Sequence, residues 1–245
     1  MIIMQAIKIK CFQNMVNYKR QGFNEIWQSY PLPPYSSVIG MIHKLCGFKE
    51  YKEMYISVQG ESANSHYGLF TKYSFNKKES SLKSASFRGV GSVELLIDLF
   101  LIIHVYMKDI KLLKEVCDKL NKPEIYPSLG RHEDILIINS AELIDIVEAP
   151  NKIELRHSAY IPVIYLNEED DILESGTRYL INKKFYIDEK DGIKIRKWEK
   201  ENGKIKVKYM RPRESRIKFN KGVFVEKGTN EDEGLGVFFD DKIYC

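Results

Sequence analysis

The four cysteines of this 245-residue chain, Cys11, Cys46, Cys117 and Cys245, are scattered and form no C-x-x-C pair, so neither a zinc ribbon nor a disulfide framework is indicated. Reduced thiols, three of them in the core, are the expectation. No stretch approaches the roughly 20 uninterrupted apolar residues that span a bilayer. The first strand-like run also lacks a signal peptide's cleavage region, so the chain reads as cytoplasmic with no membrane partner. There is no P-loop, no G-x-G-x-x-G and no carboxylate cluster at ligand spacing, so the expected cofactor and metal content is none. No solenoid-period repeat occurs.

What is present is enough to build a sizeable core, with 44% hydrophobic and 29% charged residues. Net charge is only +4, but it is unevenly spread. Residues 178–227 hold 17 Lys/Arg against 7 Asp/Glu, while 228–245 hold one Lys and five acids. The basic block fits either a polyanion partner or a solvated lysine-rich surface.

Ile2 to Phe12 alternates, with Ile3, Ile7, Ile9 and Cys11 on one side and Lys8 and Lys10 on the other, as a half-buried strand does. Asn14 to Tyr30 reads as a polar loop carrying Lys19 and Arg20. In "YPLPPYSSVIGMIH" the prolines fix the chain's entry into a helix, and Ser36 or Ser37 is the expected N-cap. Val38, Ile39, Ile42, Leu45 and Cys46 form one helical face, and Gly47 is the stop. Such an N-terminus either holds an anion or is an ordinary capped helix. Gly40, inside the helix, suggests the close approach of another backbone.

Tyr51–Gln59 and Tyr67–Phe75 read as strands joined by "GESANSH". Asn76–Ser92, with Lys77, Lys78, Lys83 and Arg88 following Lys72, reads as either a basic hairpin or lid that touches RNA or a plain disordered loop. Val93–Tyr106 is a central strand, Ile110–Leu120 a second helix, and Ile135–Val147 a further strand. The resulting β-α-β-β-α-β order gives an α+β, ferredoxin-like domain over 1–150, with both helices on one face and the other face, carrying Lys8 and Lys10, free. Residues 151–245 read as a β-rich appendage of short ribbons, with turns at Asp191-Gly192 and Asn202-Gly203 and an irregular last twenty residues.

"YPLPPYSSVIGMIHKLCGF" with "YISVQG", and then "YPSLGRHEDI", resemble the Cas-five family of CRISPR-associated proteins in the RAMP superfamily, most closely its type I-B branch. The resemblance implies a Cascade subunit for antiviral defence that grips the 5′ handle of the CRISPR RNA and caps the backbone filament. Its implied partners are the backbone subunit, the large subunit and, indirectly, target DNA. It implies a thumb hairpin over about 60–92, a handle-binding surface that includes Tyr35, Ser36, Ser37 and Gly40, and an adjoining loop of Leu129, Gly130, Arg131 and His132. Arg131 suits phosphate binding and base stacking; the alternative is an ion pair with Glu133 or Asp134 that fixes the loop.

A second reading is a metal-independent endoribonuclease that processes the CRISPR RNA precursor, with His43, His132 and Tyr35 as candidates. A third is a generic RNA-binding ferredoxin-like protein. RNA-recognition motifs place aromatic pairs on the central strands, and strand one instead offers Lys8 and Lys10, with no K/R-G-F-x-F signature anywhere.

Overall fold

The computed structural model describes residues 3–22, 26–75, 86–149, 152–166, 176–190, 192–201, 203–212, 217–219, 222–227 and 234–243. Its elements are, in chain order, β1 (Ile3–Val16), β2 (Ile26–Trp27), α1 (Tyr35–Cys46), β3 (Tyr55–Phe75), β4 (Ser86–Tyr106), α2 (Ile110–Asn121) and β5 (Ile137–Glu148). There follow β6 (Lys152–Ile153), β7 (Ala159–Pro162), β8 (Thr177–Asn182), β9 (Phe185–Lys190), β10 (Ile193–Trp198), β11 (Lys204–Met210), β12 (Ile217–Lys218), β13 (Phe224–Lys227) and β14 (Gly236–Val237). The α+β expectation holds, with two α-helices among the described residues and a mainly antiparallel sheet.

The central strands run in the order β5-β1-β4-β3. β13 and β14 extend this sheet past β5, and β7, β11 and β8 extend it past β3. Both helices lie on one face, where Ile7, Ile9 and Cys11 of β1 share a core with Val38, Ile42 and Leu45 of α1 and Leu113, Val116 and Leu120 of α2. Each such aliphatic side chain taken fully out of water contributes about 1.5–3 kcal/mol, which is what holds two short helices to the sheet. Burial in that core pushes the Cys11 thiol up to about 12, leaving it inert.

The helix boundaries show which local signals decide. α2 opens on Asp109, whose Oδ1 accepts from the Lys111 and Leu112 amides at 2.9 and 3.2 Å. Ile110, the first helical residue, is 53% exposed and lies outside the buried face of Leu113, Val116, Cys117 and Leu120. α1 opens on Pro34 with no side-chain cap, so neither Ser36 nor Ser37 plays the expected role. The prolines set the entry instead. Tyr160 of β7 clamps it, its hydroxyl donating to the Leu32 carbonyl at 2.7 Å and accepting from the Leu32 amide at 3.3 Å.

Two expectations about strands are corrected. "GESANSH" is not a connection: β3 runs unbroken through it, paired with β4 from Tyr55↔Tyr106 to Phe75↔Ser86. The strand expected from Val93 begins at Ser86, so residues 86–92, read as part of either a basic hairpin or a plain loop, are strand. A continuous cross-strand ladder satisfies backbone groups whatever the side-chain composition, and this one overrides it. The β1–β4 pairing ends at Val16↔Leu96, and β2 pairs only at Ser92 and Val93, so beyond that point β3 and β4 form a two-stranded arm.

The described residues of the C-terminal segment, 234–243, are irregular outside β14, as expected, but they are packed rather than loose. Phe238 and Phe239 are fully buried, and residues 236–240 run against β3 on the sheet face opposite the helices. There Gln59 donates to the Gly236 carbonyl at 2.6 Å, the Ser57 hydroxyl accepts from the Phe238 amide at 3.0 Å, and the Asp240 amide donates to the Ile56 carbonyl at 2.9 Å. The free face inferred for the sheet is therefore closed at this end. In the ribbons, β9 and β10 form the expected hairpin, with Gly192 at φ 74. Asn202 lies outside the described residues, and β11 pairs with β8 and β7 rather than β10.

Candidate nucleic-acid interface

The positively charged loops of the sequence reading converge where β1 ends. Gly130 holds φ 109 in the loop after α2, and a Cβ there would lie 2.8 Å from both the Asp134 carboxylate and Val16. The turn lets the buried Asp134 carboxylate accept from the Asn17 amide at 3.2 Å and the Arg131 amide at 2.9 Å. Asn17 in turn donates through its side chain to the carbonyls of Trp27 and Glu94 at 3.1 and 2.7 Å. Gln13, itself hydrogen-bonded by Tyr18, donates to the Leu129 carbonyl at 2.8 Å. The 128–135 loop and the 17–30 loop are thus wired together, which brings Lys19, Arg20 and Arg131 onto one set of linked loops.

Their individual roles differ. The Arg131 guanidinium grips Asp134 through Nε at 3.1–3.2 Å and a terminal nitrogen at 2.7 Å, and reaches Glu133 at 3.2 Å. Those hydrogen bonds raise its pKa above the ordinary value, against burial and with help from both carboxylates. The loop-fixing alternative weighed for Arg131 is what the structure contains. Lys19 lies with Nζ 4.1 Å from the centroid of Trp27, and Trp27 packs on Phe70 of the arm at 4.4 Å. The Arg20 guanidinium lies 5.4 Å from the Tyr179 ring and 5.9 Å from Tyr30, and donates to Gln28 at 3.2 Å.

Arg20 lines a groove of about 780 Å³ between the 17–30 loop, β3 and the C-terminal strands, together with Tyr67, Tyr179, Tyr209, Arg211 and Glu94. Sequence reasoning missed Tyr179, Tyr209 and Arg211. The signal was the basic block at 178–227 with tyrosines interleaved, but nothing in the sequence places β8 and β11 beside Arg20.

Other candidates are placed differently. Lys8 is not on an open face: it is 4% exposed, with Nζ 2.7 Å from Glu226 of β13. The other oxygen of Glu226 lies 2.8 Å from Nε2 of the fully buried His104. Burial raises the Glu226 carboxyl, but the hydrogen bonds and charges of His104 and then Lys8 outweigh it and hold the group below the ordinary carboxylate value. Lys10 is exposed. Tyr35 is fully buried against Tyr160, with its hydroxyl pKa pushed up by burial and by the nearby Asp240. Ser36 and Ser37 are half-buried in the first turn of α1, and Gly40 is exposed. Among the described residues an added Cβ at Gly40 meets nothing within 4 Å, so none of them makes the close approach expected there. Lys72 and Arg88 sit in the arm's ladder, at Lys72↔Gly89 and Tyr73↔Arg88. Lys77, Lys78 and Lys83 lie outside the described residues.

The three nuclease candidates sit in different surroundings. His43 is half-buried in the last turn of α1 and packs against the α1–β3 connection, its Nε2 3.3 Å from the Lys52 carbonyl and its ring beside Phe48 and Tyr51. Burial lowers its pKa despite the Lys52 hydrogen bond. Tyr35 lies on the same helix eight residues earlier, about 12 Å along the axis. His132 is 96% exposed in the 128–135 loop, 2.8 Å from Glu133.

The fold defines the class first: an α+β protein whose mainly antiparallel sheet is backed by two helices on one face. The chain belongs to the CRISPR-associated protein (Cas_Cas5) family, whose model matches residues 6–208. No curated protein matches it. A chain of a solved CRISPR RNA-guided surveillance complex is similar in fold, with a TM-score of 0.51 at 13% identity over 93% of this chain and 95% of that one. A CRISPR protein from Archaeoglobus fulgidus aligns over 96% of this chain and 98% of its own, with a TM-score of 0.48 at 10% identity. Among the described residues no helix is long and apolar enough to cross a membrane.

Proposed function

We propose that this protein is a Cascade subunit of type I-B that binds the 5′ handle of the CRISPR RNA and caps the backbone filament in antiviral defence. The observation that carries this reading is the two-stranded arm. An isolated pair of strands is marginal in water, and this one presents Leu69 at 80%, Val90 at 77% and Tyr73 at 57% exposure. An arm of that kind needs a partner, and it suits a thumb that packs on RNA and a neighbouring backbone subunit. The order β5-β1-β4-β3, with α1 after β1 and α2 after β4, supports a ferredoxin-like core for residues 1–150. The described strands of residues 151–245 that join the sheet, β7, β8, β11, β13 and β14, brace that core. Lys19, Arg20, Arg211 and the α1 N-terminus supply positive charge for the handle phosphates. The I-B assignment rests on the resemblance of the two quoted motifs.

Co-expression with the backbone subunit and CRISPR RNA tests the reading. Val90→Glu with Leu69→Glu should abolish assembly, and Lys19→Ala with Arg20→Ala should weaken handle-RNA binding and lower its salt slope by about 1–2. Unchanged assembly in the arm variant would remove the thumb from the reading. The nuclease alternative makes the opposite forecast: a defined, metal-independent cut in repeat RNA that is lost in His132→Ala.

A further inference from the structure

The end of the sheet that the C-terminal segment leaves uncovered carries an aromatic pair. Phe12 of β1 and Phe100 of β4 are cross-strand partners on the two central strands. Their ring centroids are 4.9 Å apart and the planes are inclined by 49°. Phe100 is 62% exposed, and Ile137, opposite Phe12 on β5, is 55% exposed. A phenyl ring held open to water at the middle of a sheet, rather than at its rim, forgoes the stabilisation that burial gives every core aromatic.

Phe100 also forms part of a concavity of about 490 Å³, whose other walls include Lys10, Glu61, Asn139 and His157. That volume lies within the range of sites for small organic ligands. The backbone is irregular around it. The β1–β5 register slips between Lys10 and Cys11, so that Lys10 faces Ser140, Cys11 faces Ile138 and Asn139 is left unpaired at the concavity. Bulges of this kind re-aim a side chain beside a site. On β4, Asp98 takes φ 49, and the ladders to β1 and β3 both skip it.

We propose that Phe12 and Phe100 form a stacking platform for one unpaired base of the bound RNA, with Lys10 beside its phosphate and Asn139, His157 and Glu61 at the base edge. Lys10, Asn139, His157 and Glu61 stand around the exposed Phe100 ring, with Phe12 beside it. This set of charged and polar groups about an aromatic face matches a nucleotide's flat face, polar edge and anionic backbone. The Glu61 carboxylate favours a base edge that bears an amino donor and repels a phosphate, so the phosphate lies on the Lys10 side. The platform rests on the RNA-binding reading above and extends it to a surface that reading does not use.

The test uses the full chain assembled with the backbone subunit and handle RNA carrying 5-iodouridine or 4-thiouridine at each position in turn. Crosslinks should map to the Phe100 peptide from one nucleotide position. Phe100→Ala should weaken RNA binding roughly five- to a hundredfold. Phe100→Trp should restore it, while Phe100→Leu, which keeps the apolar bulk and the fold, should not. Wild-type binding unchanged in Phe100→Ala and Phe100→Leu overturns the platform and leaves the handle reading standing. Loss of a protein subunit from the assembly in Phe100→Leu, with RNA affinity intact, also overturns it. If the wild type fails to bind handle RNA, the handle reading fails. The platform is then judged on single-stranded oligoadenosine and oligocytidine, where no binding, or binding equal in Phe100→Leu, rejects it.

Discussion

Lys8 and Lys10 stand two residues apart on one face of β1, yet they end in opposite environments. At the Lys8 end, His104 and Ser57 follow in register across β4 and β3, and the C-terminal segment closes over them with Glu226 between Lys8 and His104. At the Lys10 end, Phe12 and Phe100 lie open. The same alternation of side chains thus produces a sealed ionic cluster at one end and an accessible aromatic patch at the other. What separates them is a contact across 218 residues of sequence. A charged residue on a strand's outer face reports the face but not what covers it.

The sharpest way to break this contrast is to remove the closure. Glu226→Ala leaves Lys8 and His104 buried without their shared carboxylate, and should cost about 3–5 kcal/mol in denaturant unfolding. Phe100→Ala at the open end should stay within about 0.5 kcal/mol by the same measurement. Equal costs at the two ends would contradict the distinction between them.

The next effect concerns Asp240. Burial pushes its carboxyl from 3.8 up to about 6, although Lys183, 2.9 Å away, favours the charged form. The folded state then holds this proton more tightly than the unfolded one, so Asp240 contributes stability below pH about 4 and loses it as pH rises to about 6. Wild type and Asp240→Asn, unfolded in parallel across that window, should differ in slope by an amount that totals about 3 kcal/mol. Parallel curves would contradict the assignment.

Gly130→Ala comes third. Its φ of 109 and the 2.8 Å approach of Asp134 and Val16 should make it cost about 1–3 kcal/mol and loosen the Arg131 loop. The smallest change has the opposite sign. Gly40→Ala, exposed on α1 with none of the described residues within 4 Å of the added Cβ, should stabilise the isolated chain by up to about 1 kcal/mol. If the same variant also impairs assembly, the close neighbour that the glycine suggested belongs to another molecule.

Much of the core was legible in the sequence, because the alternation of β1 and the helical spacing of Val38–Leu45 and Leu113–Leu120 are local properties of a buried face. The "SLGRHED" stretch was legible as a loop through the family resemblance but not in its wiring: Arg131 bonds to Asp134 three residues on, a choice the sequence left open. The unread parts depend on long-range pairing. The polar run at 61–67 is strand because β4 lies beside it, and Phe238 and Phe239 are core because β3 receives them. Phe12 and Phe100 were present in the sequence, yet only the β1–β4 register makes them a pair. Looking for that pair at Lys8 and Lys10 missed it by a short step along the same strand.

The most direct test of the account is hydrogen–deuterium exchange on the assembled protein with and without handle RNA. The account predicts slower exchange in residues 17–22, 26–30 and 126–136 and around Phe100, and no change in the strap at 236–240. Protection confined to the strap, or absent from the linked loops and Phe100 alike, would contradict it.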